Sequence, residues 1–186
     1  MTAAEAELTE IDSKFGDADH GLTMTKIAGA ISAAVDDAEG GIQTMLDDAA
    51  MAVMSLNGGS AVPLWNTWLD GMQEDAPDED EIDVAGIQAI FAKAFEEIDD
   101  MSGAKVGDKT MMDALIPAVQ AAQQTQEDCK AILESAAQAA QEGAKASEQF
   151  VSKIGRARSY KEQTIGTPDA GAVSTALFFR GLAQGI

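Results

Sequence analysis

Val84-Ala-Gly-Ile-Gln-Ala-Ile-Phe-Ala-Lys-Ala-Phe-Glu-Glu-Ile-Asp-Asp-Met-Ser-Gly103 is the stretch that decides the fold. Its apolar residues Val84, Ile87, Ile90, Phe91, Ala94, Phe95, Ile98 and Met101 recur at three- and four-residue steps, the period of one face of an α-helix. Gly103 then ends it, as glycine commonly ends helices. The same period returns on both sides. It runs from Leu22 to about Asp37, closed by Glu39-Gly40-Gly41, and from Ile42 to Leu56, closed by Asn57-Gly58-Gly59. A further helix follows Ser60, a capping residue, and accommodates Pro63 in its first turn, where a missing N–H does little harm. Beyond Gly103 come a helix over Met111–Val119, in which Pro117 predicts a kink, and two Ala- and Gln-rich helices over Thr125–Glu142 and Ala144–Lys153. The last helix is expected over Ala172–Ala183, and a short first one over Ala4–Lys14. No segment alternates β-branched residues with period two, so the expected class is all-α.

Composition narrows the function. The chain of 186 residues carries 12 Lys and Arg against 32 Asp and Glu, a formal charge of −20 that repels nucleic-acid phosphates and anionic lipid alike. No nucleic-acid role is expected. One domain over residues 1–186 is the economical reading of this length. A single cysteine, Cys129, cannot form an internal disulfide and reads as a buried thiol on an apolar stripe. No apolar run approaches the length of a membrane span, and the N-terminus is acidic where a signal peptide is basic, which points to the cytoplasm. Gln73–Asp83 (QEDAPDEDEID) reads as a solvated acidic loop.

The chemistry is concentrated in Asp12-Ser-Lys-Phe-Gly-Asp17-Ala-Asp19-His20-Gly21, which holds three carboxylates and the one histidine of the chain. Three converging carboxylates repel one another unless a cation neutralises them, and an all-oxygen set suits Mg²⁺ rather than zinc. An EF-hand beginning at Asp17 is excluded, because its sixth position is Leu22 and its twelfth Ala28. The competing reading is structural: Asp17 or Asp19 caps the helix that begins near Leu22. Other informative residues lie in the loops Asn57–Ala61, Ser102–Thr110, Gly155–Arg156 and Gly166–Gly171. In an up-and-down bundle alternate loops share one end, so all five segments can line one rim. Glycine-rich turns at helix N-termini and the forked Arg156 guanidinium are suited to phosphate.

The segments GDADHGLTM, GGSAVPL, GAKVGDKTMMDALIPA and GRARSYKEQTIGTPDAGAVSTALFFRGL resemble, in this order, the nucleotide-binding L domain of dihydroxyacetone kinases. The resemblance runs from about Leu8 to Leu182. It implies a closed up-and-down antiparallel barrel of about seven to eight helices, binding ADP or ATP and two Mg²⁺ ions in the loops at one end. By motif match Asp12, Asp17 and Asp19 are the metal ligands, acting as ligands and not as bases, and no side chain is assigned as catalytic. His20, Gly21, Leu22 and Thr23 border the nucleotide, Ser60 and Ala61 lie over the phosphates, Ser102 and Met111 flank the base, and Arg156 with Asp169, Ala170 and Gly171 closes the site. The implied partners are a substrate-binding K subunit, which holds the short ketose covalently through its own histidine, and in some members a phosphohistidine protein of the phosphotransferase system. An alternative is a nucleotide-binding regulatory or partner module without kinase activity of its own.

The chain departs from the family at three places. Ser60-Ala61-Val62 stands where Ala-Ser-Gly is usual, and Asp169-Ala170-Gly171 replaces Asp-Pro-Gly. A helix that usually precedes the one ending at Asp12 has no counterpart, so either seven helices close the barrel or another segment fills the gap.

Overall fold

The computed structural model describes residues 1–185, and every regular element in them is helical. Eight α-helices follow one another: α1 Glu5–Ser13, α2 His20–Asp37, α3 Ile42–Met54, α4 Ala61–Glu74, α5 Val84–Ser102, α6 Met112–Gln124, α7 Cys129–Ala146 and α8 Ala170–Gln184. Short 3₁₀ segments cover Thr2–Ala4, Ser147–Gln149 and Ala157–Thr164. Each helix packs on the next, and α8 lies against α1 as well as α6 and α7, which closes the ring. The expected all-α barrel is therefore found, with eight α-helices rather than seven.

Apolar stripes turned inward form the core. Trp68 of α4, Phe91 of α5 and Phe179 of α8 meet across the interior with ring centroids 5.7–6.1 Å apart, and Trp65 and Phe178 extend the cluster. All three are essentially fully buried. Because α8 is not the ring neighbour of α4 or α5, these aromatic contacts fill the barrel rather than a single helix–helix seam.

Several boundaries differ from the sequence reading. α5 runs over Val84–Ser102 as its stripe predicts and stops at Gly103, whose φ of 61° places it in the left-handed conformation of a helix stop. The expected helix over Ala144–Lys153 does not exist; α7 instead passes through Gly143 and ends at Ala146. Gly143 is not a stop but a contact: a Cβ there would overlap the Asp113 carbonyl and lie 3.1 Å from Ala114 Cα. That carbonyl has no helix partner because residue i+4 is Pro117, which lacks an N–H. α6 nevertheless runs unbroken through Pro117. Cys129 is half-buried at the start of α7, not sealed in the core, with Sγ 3.6 Å from the Ile82 carbonyl. The acidic loop is more than a solvated linker, since its Glu79 and Pro77 carbonyls accept the N–H groups of Ile42 and Gln43 and so complete the start of α3.

The antiparallel ring fixes where helix ends fall. α2, α4, α6 and α8 begin at one end of the barrel, and α1, α3, α5 and α7 finish there. Four positive helix poles thus gather at that end of an otherwise strongly acidic chain.

Candidate functional site

At the end where these poles gather, residues from all five loop segments line a cavity of about 460 Å³. One wall is the turn between α1 and α2. Asp12 is fixed by the last turn of α1, whereas Asp17 and Asp19 sit on the turn itself, shaped by Ala18 at φ 60°. Side-chain oxygens of all three approach within 4.8 Å of one another. Burial, reinforced by the negative charges of Asp17 and Asp12, pushes the Asp19 carboxyl above its ordinary range. Such a donor set, all oxygen and mutually repelling, fits a hard divalent cation.

The capping alternative is resolved by geometry. Asp19 occupies the N-cap position of α2 but its side chain makes no capping bond. Asp12 does that work: its Oδ2 accepts the N–H groups of Asp19 at 3.1 Å and His20 at 3.4 Å. Gly16 keeps the turn tight, because a Cβ there would overlap the Asp12 carboxylate. On the opposite side, a Cβ at Gly59 would lie 3.9 Å from Asp19 Oδ2, so a glycine leaves the space over the cluster open.

Most of the other expected residues also face this cavity: His20, Thr23, Ser60, Ala61, Ser102, Met111, Arg156, Asp169, Ala170 and Gly171. Gly21 and Leu22 do not. Gly21 is buried under α1, where a Cβ would overlap the Glu5 carbonyl and Thr9 Oγ1, and Leu22 is 49% exposed on the outer side of α2. His20 Nε2 and Ser174 Oγ lie 3.0 Å apart, tying α2 to α8, and burial lowers the imidazole pKa. Ser60 holds the N-cap position of α4 with helical backbone angles and no capping bond, contrary to the expectation that it caps. Arg156 forms an ion pair with Asp17 across the mouth.

A buried polar network beneath the cavity has no counterpart in the sequence reading. Lys109, 5% exposed, donates from Nζ to the Ser147 carbonyl at 2.5 Å and the Thr167 carbonyl at 2.6 Å. Burial lowers its pKa. Asp113 is completely buried and accepts the N–H groups of Gly107 at 2.6 Å and Thr110 at 2.7 Å, pinning the loop that carries Met111. Asp169 caps α8 by accepting the Ala172 N–H at 2.8 Å, and its own N–H donates to Ser147 Oγ at 2.9 Å. Burial raises the Asp169 carboxyl to about 7, opposed by its backbone hydrogen bonds. A single ammonium thus joins the two strips of wall, Lys109–Met111 and Pro168–Gly171. The one available signal was the Thr110-x-x-Asp113 spacing of a capping box.

The sequence profile of the DAK2 domain matches residues 14–184. This chain belongs to the DAK2-domain family. A D-erythrulose kinase of Mycolicibacterium smegmatis is 37% identical over 190 residues, covering 99% of the chain but 33% of the kinase. The ADP-binding subunit DhaL of the PEP-dependent dihydroxyacetone kinase 1 of Listeria innocua is 31% identical, covering 95% of the chain and 85% of that subunit. The crystal structure of the dihydroxyacetone kinase from C. freundii in complex with AMP-PNP and Mg²⁺ superposes with a TM-score of 0.70 at 23% identity, over 100% of this chain and 31% of that one. This DAK2 domain therefore spans about a third of the length of the erythrulose kinases it matches and most of the length of the ADP-binding subunits.

The departure at Ser60-Ala61-Val62 is accommodated locally in this DAK2 domain. Val62 is buried in the first turn of α4, a right-handed helical position that has no need of glycine. Gly58 lets the buried Val62 side chain approach, since a Cβ there would lie 2.6 Å from Val62 Cγ2. No helix among the described residues is long and apolar enough to cross a membrane.

Proposed function

We propose that this DAK2 domain is the ADP- or ATP-binding and Mg²⁺-binding unit of a kinase for a short hydroxyketone, dihydroxyacetone or a four-carbon relative such as erythrulose. The observation that carries the reading is the Asp12, Asp17 and Asp19 cluster on one wall of a cavity into which several helix N-termini open. Phosphate groups are held well at helix N-termini, where N–H groups and the macrodipole act together. The uncapped start of α4 leaves Ser60 and Ala61 free for that role, and Arg156 offers a forked donor opposite. Asp12, Asp17 and Asp19 would hold two Mg²⁺ ions. When bound, such ions neutralise phosphate charge and charge that develops during phosphoryl transfer. Met111, buried and apolar, fits the face of a base.

The ketose is held by a second unit, a K subunit. His20 is engaged with Ser174 and sits in the metal motif, so it does not serve as a covalent sugar anchor. Leu22, Met54, Met101, Val106, Ile154 and Ile165, all large and exposed, stand on the elements that surround the cavity mouth and favour a protein neighbour there. Relatives described as PEP-dependent support recharging of a retained ADP by a phosphohistidine protein, and the erythrulose kinases leave exchange with ATP as the other route.

Mg²⁺ and ADP together are expected to raise the melting temperature well beyond the sum of their separate effects, because a cation that neutralises both carboxylate and phosphate charge makes each ligand favour the other, and mass action then stabilises the state that binds both. Equal midpoints with and without the pair refute the site. Ketose phosphorylation is expected only after a K subunit is added; robust transfer by this chain alone refutes the two-unit reading.

A further inference from the structure

The Arg156–Asp17 ion pair joins two groups that the preceding reading assigns to different ligands, Asp17 to metal and Arg156 to phosphate. A guanidinium on a carboxylate neutralises the charge that would otherwise attract a cation there. The pair is built to be exchangeable: the Arg156 side chain is 70% exposed and that of Asp17 42% exposed, so neither is locked by packing. Arg156 follows Gly155, whose φ of 69° turns the chain sharply toward the mouth. The segment after it is anchored independently, by Tyr160 against Phe15 at the end of α1, with ring centroids 5.2 Å apart. Release of the guanidinium therefore does not require the segment to leave the domain.

We propose that Arg156 is a stand-in cation for Asp17, so that a nucleotide phosphate, by drawing the guanidinium away, opens Asp17 to the metal and makes metal binding conditional on nucleotide. The inference rests on the nucleotide and metal reading above and adds regulation to it. With nucleotide absent, a divalent cation must displace Arg156 before it gains Asp17. Once phosphate holds Arg156, the two positive charges no longer compete for one carboxylate. By linkage the metal then raises nucleotide affinity by the same factor.

Mn²⁺ binding followed by electron paramagnetic resonance, with and without ADP, tests this on the full chain. Arg156→Gln is expected to bind Mn²⁺ alone about two- to fivefold more tightly than the wild type, the range set by an exposed ion pair. It is also expected to lose about tenfold or more in ADP affinity with Mn²⁺ present, as a charged hydrogen bond disappears. With the ion pair gone, neither ligand can spare the other the cost of breaking it, so the thermodynamic coupling between Mn²⁺ and ADP shrinks. Arg158→Gln removes the same charge from a nearby exposed residue that has no ion pair among the described residues, and it should leave both constants unchanged. Unchanged or weaker Mn²⁺ binding by Arg156→Gln overturns the proposal, as does equal tightening in Arg158→Gln, which would reduce the effect to net charge. Wild-type coupling that survives intact in Arg156→Gln overturns this inference alone. Absence of coupling in the wild type overturns it together with the functional reading on which it stands.

Discussion

Two glycines of α2 give a matched test of how the metal wall is held. Gly21 is buried beneath α1, and a Cβ there would overlap the Glu5 carbonyl and Thr9 Oγ1 and lie 2.9 Å from Thr9 N. Gly29, two turns further along the same helix, is exposed and a Cβ would meet nothing within 4 Å. Ala in place of helical Gly stabilises by up to about 1 kcal/mol where space allows. At Gly29 that gain stands alone. At Gly21 it is opposed by overpacking against three atoms inside 3 Å, two of them backbone, which belongs in the upper part of the usual range, about 2–3 kcal/mol, so a net loss of about 1–2 kcal/mol is expected. For a domain of this size each kcal/mol moves the melting temperature by about 2–4 °C. Gly21→Ala should therefore melt roughly 2–8 °C lower than the wild type, and Gly29→Ala up to about 4 °C higher. Because α1 carries Asp12, the displaced helix should also weaken Mn²⁺ binding in Gly21→Ala and not in Gly29→Ala. Differential scanning calorimetry and metal titration of both variants suffice. A Gly21→Ala protein that melts at or above the wild type, with metal binding intact, would show that α1 does not rest on this glycine.

Asp17→Asn should abolish metal-dependent nucleotide binding with little change in the melting of the ligand-free protein, whereas Asp12→Ala should also lower that melting point by the roughly 1 kcal/mol of a lost cap; reversal of the two stabilities would return Asp17 to a capping role. Lys109→Met keeps the volume but strips the Ser147 and Thr167 carbonyls of their donor, at about 1–3 kcal/mol for each orphaned acceptor, and urea melts with an unchanged midpoint would contradict the network. Asp169, raised to about 7 in the folded chain against about 3.9 unfolded, retains a proton that the unfolded chain loses. Its contribution is thus full below about pH 4 and is lost as pH rises toward 7. Asp169→Asn, still a capable cap, should flatten that fall and melt higher relative to the wild type at pH 8 than at pH 5, and parallel pH profiles would count against a half-buried Asp169 that keeps its proton.

The helices were legible because their apolar faces repeat. Val84–Ser102 ends where Gly103 predicts, and Asp12, Asp17 and Asp19 stand out by composition before any packing is known. What the sequence concealed depends on tertiary neighbours. Gly143 looks like a break, and only the approach of the Asp113 carbonyl reveals it as a contact. Gly21 reads as part of a nucleotide motif, yet its surroundings belong to α1. Lys109 resembles an ordinary loop charge until Ser147, just after α7, and Thr167, before α8, supply its acceptors, and Asp113 resembles an ordinary first-turn acid until its own loop folds back to present the Gly107 and Thr110 N–H groups. The division of labour between Asp12 and Asp19 was equally hidden, since a cap seven residues away in sequence depends on the turn that brings it back.

Eight is also a number with a parity. In a closed ring of antiparallel neighbours an even count lets every seam run antiparallel, while an odd count forces one pair to run side by side in the same sense. α8 meets α1 as an antiparallel neighbour, so the closing seam resembles the others. Gaining or losing one helix inside the ring would invert every helix after it, sending the start of α8, with Asp169 and Gly171, to the far end from Asp12. Changes in size that keep this mouth intact are therefore confined to helical hairpins added or removed in pairs, or to loops at the opposite end. The site constrains the architecture by counting.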